Sequence, residues 1–331
     1  MNEVIMILGA PASGKSTYSN HYIKRDYVYL SRDKAGGNLS DLLPKLNGAL
    51  AAGSKVVLDN LFTTKQSRKE FIDLCIKYNV PIKCVWVSTS IEDCQINLLF
   101  RMHKKYKQIF MHPEDIKNHS EAKKDPNVYP PVVLFKYKKE FEPPIESEGF
   151  SEIEIVSFVR EYDSKFKNKA LILDYDDTLR ISKGEKQYPI KTSEIEILPN
   201  RRDKILEYKN NGYLILGVSN QSGVHKKIFT LEDAHACFQY TNKLLDLEID
   251  YQFCPHQSTP PVCFCRKPQS GNGVKLITKY MLNPKECIFV GDATTDKTFA
   301  KRIGFQYYHP DDFFKVWLYN VKNSQQTAIV C

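Results

Sequence analysis

Short apolar runs and longer stretches of helical periodicity alternate through the first half of the chain. Val4 to Leu8, Val28 to Leu30, Val56 to Leu58 and Ile82 to Val87 read as strands, and helical patterns fill the gaps at Leu39 to Ala52, Lys65 to Lys77 and Ile91 to Met102. Strands alternating with helices predict a parallel sheet covered on both faces. A polar, lysine-rich stretch, Tyr162 to Lys169, then interrupts the pattern. Beyond it Ala170 to Leu173 reads as a fresh buried strand, with further strands at Tyr213 to Val218 and Cys287 to Val290. The expected fold class is α/β, as two doubly wound parallel-sheet domains over residues 1–162 and 168–322. There is no internal repeat or low-complexity tract, and a loose tail is expected from Asn323 onward.

Composition changes this picture little. At 331 residues, 42% hydrophobic and 26% charged, the chain has room for two ordinary globular domains. No apolar run reaches the length of a membrane span. The opening Met1 to Leu8 lacks a basic start and a cleavage site and reads as a strand rather than a signal peptide, so an intracellular, cytoplasmic location is expected, the nucleus remaining open. Nine cysteines in such a chain read as thiols or metal ligands. A formal charge of +8 is small for this length and mildly favours a polyanionic partner.

The chemistry begins at Gly9-Ala-Pro-Ala-Ser13-Gly14-Lys15-Ser16-Thr17, placed between a strand and a helical stretch. That spacing is a P-loop: glycines let backbone N–H groups wrap phosphates, the lysine reaches the β- and γ-phosphates, and the Ser16 hydroxyl holds Mg²⁺. Gly9, Ser13, Gly14, Lys15, Ser16 and Thr17 are therefore the expected ATP-binding residues. Asp33 follows the second strand, where a carboxylate can take the proton of an attacking hydroxyl or simply cap a helix. Asp59 ends the third strand, where it can position Mg²⁺ or cap the following turn.

These landmarks, with Ser67-Arg68, the run Asn97 to Arg101 and the segments Phe135 to Phe141 and Glu148 to Phe150, resemble the kinase domain of polynucleotide kinase/3′-phosphatases over nearly all of the first 160 residues. The resemblance implies Asp33 as general base on a 5′-hydroxyl and Arg101 as a lid arginine. Leu99 stands where animal members carry a second arginine. The basic run Arg101 to Lys107, with Tyr106, reads either as a nucleic-acid track with a stacking ring or as a solvated helix face or ATP lid.

In the second half Asp174-Tyr-Asp176-Asp177-Thr178 follows a strand. Two close carboxylates can divide labour, one attacking phosphorus and the other protonating the leaving oxygen, with Mg²⁺ to let anion meet anion. Alone, such a run is as easily an exposed turn. It is joined by Ser219-Asn220-Gln221-Ser222-Gly223, Arg266-Lys267-Pro268, and Gly291-Asp292 through Asp296. In that order the four pieces resemble the haloacid dehalogenase-like phosphatases. The resemblance implies Asp174 as nucleophile, Asp176 as acid/base, Ser219 and Lys267 on the transferring phosphate, Asp174, Asp176 and Asp292 on Mg²⁺, and Asp296 supporting Lys267 or the metal. Asp177 stands where many members have glycine.

Cys254, His256, Cys263 and Cys265 fall within twelve residues directly before Lys267, a set suited to closed, structural Zn²⁺. The arrangement also resembles a capless branch of phosphatases acting on histidinol phosphate and heptose bisphosphate. The remaining histidines, His112 among them, show no pairing and read as surface or core residues.

The resemblances together imply an end-healing enzyme for DNA or RNA, phosphorylating 5′-hydroxyls and clearing 3′-phosphates for a nucleic-acid ligase, with no membrane partner. The kinase-first order resembles the phage enzyme of this type. The alternatives are a metabolic fusion of a small-molecule kinase with a sugar- or histidinol-phosphate phosphatase, and a nucleic-acid-binding adaptor with dead sites.

Overall fold

The computed structural model describes residues 2–259 and 262–315; the expected tail from Asn323 lies outside the described residues. The first sheet comprises β1 (Val4–Leu8), β2 (Val28–Leu30), β3 (Val56–Asp59), β4 (Ile82–Ser88) and β5 (Glu152–Ser157). All its pairings are parallel, in the order β2-β3-β1-β4-β5. Every residue of β1 is buried. Val4, Met6 and Leu8 enter one core with Leu46 and Phe71, while Ile5 and Ile7 enter another with Val57 and Val85. A strand covered on both faces has no solvent side, which is why its sequence is apolar without alternation.

The helices of this half are α1 (Lys15–Ile23), α2 (Arg32–Ala35), α3 (Leu43–Ala51), α4 (Lys65–Lys77), α5 (Ile91–Tyr106), α6 (Pro113–Asn118) and α7 (Pro131–Glu140). Two differ from the periodicity. The single helix expected over Leu39 to Ala52 is a 3₁₀ turn, Leu39–Leu42, followed by α3, with Pro44 in the first turn of α3. Proline lacks the N–H that would continue a preceding helix but suits a helix start. Helix α5 runs four residues past Met102, and the basic groups of that last turn suit the negative end of the helix dipole.

The second half builds β6 (Ala170–Leu173), the antiparallel pair β7 (Arg180–Ser182) and β8 (Ile195–Ile197), β9 (Leu214–Asn220), β10 (Asp250–Cys254), β11 (Ile288–Val290) and β12 (Gln306–Tyr308). Its helices are α8 (Arg201–Asn210), α9 (Ser222–His225), α10 (Leu231–Leu245), α11 (Gly271–Tyr280), α12 (Thr294–Ile303) and α13 (Pro310–Phe313). The main sheet is parallel in the order β10-β9-β6-β11-β12. In both sheets the first strand lies in the middle, so strand order reverses across it. Open α/β sheets bind ligands at the carboxyl ends beside that reversal. The P-loop follows β1 and Asp174 follows β6.

The two halves share a core. Leu98, Leu99 and Met102 of α5 are fully buried in one cluster with Leu276 and Ile277 of α11 and Phe299 of α12. The lysine-rich stretch is not a free tether: Tyr162 and Phe166 pack against Phe100, with ring centroids 6.0 and 6.2 Å away. Each such side chain contributes about 1.5–3 kcal/mol when fully buried, so this contact is large beside a typical folding stability of about 5–15 kcal/mol. Leu99, in the place of the second lid arginine, therefore serves the junction.

Candidate active sites

The P-loop is shaped by close approach. Gly9 has φ 151°, and a Cβ there would lie 2.6 Å from the Val87 carbonyl oxygen, so no side chain fits. Gly14 precedes α1 in a left-handed conformation and leaves the first N–H groups of the helix free to receive an anion. Lys15 is buried and folds back over the loop, its Nζ 3.0 Å from the Gly9 carbonyl and 2.8 Å from that of Ala10. Burial pushes its pKa down to about 8, against the opposing pull of Asp59.

A cavity of about 330 Å³ brings together Lys15, Ser16, Thr17, Asp33, Asp59 and Arg101, with Ser13 and Gly14 in its rim. Gly9 lies behind this surface against β4. Asp33 sits inside α2, and Ser31 occupies the N-cap position, so Asp33 is not the cap. Asp59 is buried and accepts hydrogen bonds from Tyr29 Oη (2.7 Å) and Ser19 Oγ (3.3 Å), which aim it into the site instead of over the next turn. Asn60 accepts from the Arg32 N–H and ties β3 to α2. Arg101 reaches from α5, with its Nη1 donating to Asn127 (3.0 Å). Tyr106, near the end of the basic run, is held in place. Its hydroxyl donates to Asp125 (2.8 Å) and its ring meets Phe110 and His119 in T-shaped contacts. Lys105 also pairs with Asp125.

At the second sheet, Asp174, Asp176, Ser219, Lys267, Asp292 and Asp296 line one cavity of about 200 Å³. Lys267 is 2% exposed, and its Nζ lies 2.9 Å from Asp174, 2.7 Å from Asp296 and 2.9 Å from the Val218 carbonyl. Burial pushes the Asp174 carboxyl above its usual range; Lys267 works against this, and Asp296 and Asp176 add to it. For Lys267, burial is outweighed by the two carboxylates, and an ammonium so flanked stays charged. Asp174, Asp292 and Asp296 have oxygens within 4.8 Å of one another, a trio whose chemistry suits Mg²⁺.

The expectation of Asp176 among the Mg²⁺ ligands is corrected: its side chain is not in that trio, because both of its oxygens are taken by other partners. Its Oδ1 accepts from Arg180 Nε (2.9 Å) and its Oδ2 from Gln221 Nε2 (2.7 Å). Sequence reasoning missed Arg180 and, though it named Gln221 in the Ser219 motif, gave it no role. Arg180 is buried and also donates to Cys237 and Thr241, so it is fixed before substrate arrives. The signal was an arginine four residues beyond Asp176, just before a predominantly polar stretch. Asn220, which the motif contained but to which no role was given, brackets the Lys267 peptide: its Oδ1 accepts from the Lys267 N–H (2.9 Å) and its Nδ2 donates to the Lys267 carbonyl (3.1 Å). Asp177 has φ 56°, which explains the usual glycine; aspartate is among the few residues that tolerate it. Burial pushes its carboxyl up, as do Asp292 and Asp176.

Cys254, His256, Cys263 and Cys265 converge beside this cavity. Cys254 Sγ lies 3.6 Å from Cys263 Sγ and 3.5 Å from His256 Nδ1, which in turn is 3.1 Å from Cys265 Sγ. A tetrahedral Zn²⁺ with bonds of about 2.3 Å to sulfur and 2.0–2.1 Å to nitrogen sets ligand atoms about 3.5–3.8 Å apart, so the donors fit that ion. Hydrogen bonds from its neighbours pull the Cys263 thiol down, while Cys254 and Cys265 are pushed up. No cysteine among the described residues is in a disulfide. The reading of His112 as an unpaired residue is corrected: its ring stacks on His256, centroids 4.5 Å apart at 11°.

Comparison with known proteins divides at the same place. Residues 4–122 match the family described as AAA domain, and residues 169–314 match Polynucleotide kinase 3 phosphatase. A D-glycero-beta-D-manno-heptose-1,7-bisphosphate 7-phosphatase of Haemophilus influenzae is 31% identical over 138 residues, covering 39% of this chain and 73% of that protein. A bifunctional polynucleotide phosphatase/kinase of Schizosaccharomyces pombe is 27% identical over 178 residues, covering 53% of this chain but only 36% of that protein. A chain of a solved Pnkp1/Rnl/Hen1 RNA repair complex aligns over 93% of this chain and 95% of its own length, at 16% identity and a TM-score of 0.30. No helix among the described residues is long and apolar enough to cross a membrane.

Proposed function

Because the chain belongs, through its second domain, to the haloacid dehalogenase-like phosphatases, and carries a P-loop kinase domain ahead of it, we propose that it heals nucleic-acid ends with two independent sites. The observation that carries this reading is the pairing of the two sites on one chain. One cavity gathers the P-loop lysine, Asp33 and Arg101; the other gathers Asp174, Ser219 and Lys267. The match of the second half to Polynucleotide kinase 3 phosphatase supports a polynucleotide as the shared substrate.

In the first site, Lys15 and the N-terminus of α1 hold the ATP phosphates, and Asp33 takes the proton of a 5′-hydroxyl. Arg101 balances the charge on the transferring group. Ser16 and Asp59 would hold Mg²⁺, which neutralises the phosphate oxygens when bound. In the second site, Asp174 attacks a 3′-phosphate, and the phosphorus–oxygen bond to the strand breaks. Asp176 gives the departing 3′-oxygen its proton. Water, losing its proton to Asp176, then attacks the aspartyl-phosphate and frees inorganic phosphate and Asp174. Ser219 and Lys267 hold the phosphate oxygens throughout. Asp174 and Asp292, with Asp296 behind them, would hold the Mg²⁺ that lets the two anions approach. The Cys254, His256, Cys263 and Cys265 cluster would hold a structural Zn²⁺. The products are a 5′-phosphate and a 3′-hydroxyl, the substrates of a nucleic-acid ligase.

A second reading is favoured by the 31% identity to a heptose-bisphosphate phosphatase: a small sugar phosphate as substrate of the second site. One experiment separates them. Matched DNA and RNA oligonucleotides bearing a 5′-hydroxyl or a 3′-phosphate are incubated with the protein, ATP and Mg²⁺, alongside heptose bisphosphate and histidinol phosphate. Labelled 5′ ends and released 3′-phosphate are expected. Turnover of the small phosphates with neither oligonucleotide reaction would overturn the proposal.

A further inference from the structure

Lys267 stands on an irregular loop between β10 and α11 whose described residues form no strand or helix to hold it. From within its domain the loop is held by Asn220 and by the cysteine–histidine cluster. On its outer side it is held by the other domain. The Phe264 N–H donates to the Met111 carbonyl (2.8 Å). Met111 packs against the three clustered cysteines, and its sulfur lies 2.8 Å from where a Cβ on Gly271 would stand. His112 stacks on His256. Asp115 fixes this short segment, its Oδ2 accepting from the N–H groups of Met111 and His112, both at 2.9 Å. Past Lys267, Arg302 of α12 donates to the Pro268 carbonyl (3.0 Å), and its guanidinium lies 3.4 Å from Glu92 in the first turn of α5.

We propose that the kinase domain positions the phosphatase lysine: Met111 and His112 brace one side of the Lys267 loop, Glu92 braces the other through Arg302, and phosphatase turnover depends on both. This rests on the reading of Lys267 as a phosphate-holding group. These are positioning residues, which touch no reacting atom. Their effect arises because Lys267 must meet two carboxylates and a phosphate at once. A displacement near 1 Å in such a group costs up to about 100-fold in rate.

The test uses the full chain and p-nitrophenyl phosphate, which needs no nucleic-acid contact. Four variants are compared with wild type: His112→Ala, His112→Phe, the double variant His112→Ala/Glu92→Ala, and Lys267→Ala. Phosphatase kcat and KM, kinase turnover and metal per chain are measured well below each unfolding midpoint. The double variant is expected to lose about tenfold or more in kcat with KM and metal content little changed. His112→Phe, which keeps a flat ring against His256, is expected to stay within about twofold of wild type. Kinase turnover reports that the fold is intact. A double variant with wild-type kcat overturns the inference, as does a loss that tracks loss of metal. Lys267→Ala with full activity overturns the reading beneath it; inactive Lys267→Ala beside an unaffected double variant sinks the inference alone.

Discussion

At the scale of single residues, the site is a set of groups held under strain or at some cost. Lys15 is an ammonium buried without a paired carboxylate at contact distance, satisfied by two loop carbonyls. Burial holds its folded pKa at about 8, below the ordinary lysine value of 10.5, so its burial costs stability below pH 8. That cost fades as pH rises from 8 toward 10.5. In nucleotide-free protein, Lys15→Met is expected to raise the unfolding midpoint at pH 7 while abolishing kinase turnover. The gain should shrink at about pH 10. Thermal melts at the two pH values check this, and equal midpoints at pH 7 would refute it. Arg180 is the complementary case. Arg180→Met should lower phosphatase kcat by about 10- to 100-fold and leave the kinase alone, with partial recovery in Arg180→Lys. Steady-state assays of both activities decide it, and an unchanged phosphatase rate would refute a role for Arg180 in orienting Asp176. Lys15, Asp174 and Lys267 were legible because each sits in a spaced motif. Arg180 and His112 were not, because their partners are set by folding: Cys237 and Thr241 on α10 for one, His256 for the other.

At the scale of elements, α5 has two duties on two faces. Arg101 points to the ATP-side cavity, while Leu98, Leu99 and Met102 lie in the core shared with α11 and α12. A second arginine at position 99 would put a charge into that core. Leu99→Arg is therefore expected to cost at least about 3 kcal/mol, measurable by urea unfolding, rather than to strengthen the lid. A cost within about 0.5 kcal/mol would show that the position reaches solvent. The strands of both central pairs were readable because strands buried on both faces have nothing but apolar residues to show. The strands β5, β10 and β12 were not read; β5 mixes partly buried and exposed residues and has no fully buried one, so it shows no continuous apolar run. Helix α5 outran its apolar pattern because its final turn is held by the ion pair of Lys105 with Asp125 and by Tyr106 packing, not by a continuing apolar stripe.

At the scale of the whole molecule, the two domains were visible in the sequence but their junction was not. Residues that bury against another domain look like any core residue, and Tyr162 and Phe166 lie inside a stretch whose lysines suggest a linker. The junction makes the metal cluster more than a local device, since Met111 and His112 close over it. Elemental analysis is expected to find about one Zn²⁺ per chain. Chelation should then lower the melting midpoint of both activities together, because the loop it frees is wedged between the domains. Loss of the phosphatase alone, with kinase melting unchanged, would contradict this. The sites themselves should stay chemically separate: Lys15→Ala should abolish only the kinase and Asp174→Asn only the phosphatase, read with the same two oligonucleotides.

The shared core has a further consequence for how the chain is made. During synthesis α5 leaves the ribosome well before α11 and α12, which cover it. At roughly 5–20 residues per second, the delay is on the order of ten seconds or more. Through that interval the first domain carries an uncovered greasy stripe of Leu98, Leu99 and Met102, a natural landing place for chaperones and a liability when the gene is cut at the apparent linker. Separately expressed halves should be less soluble than the intact chain.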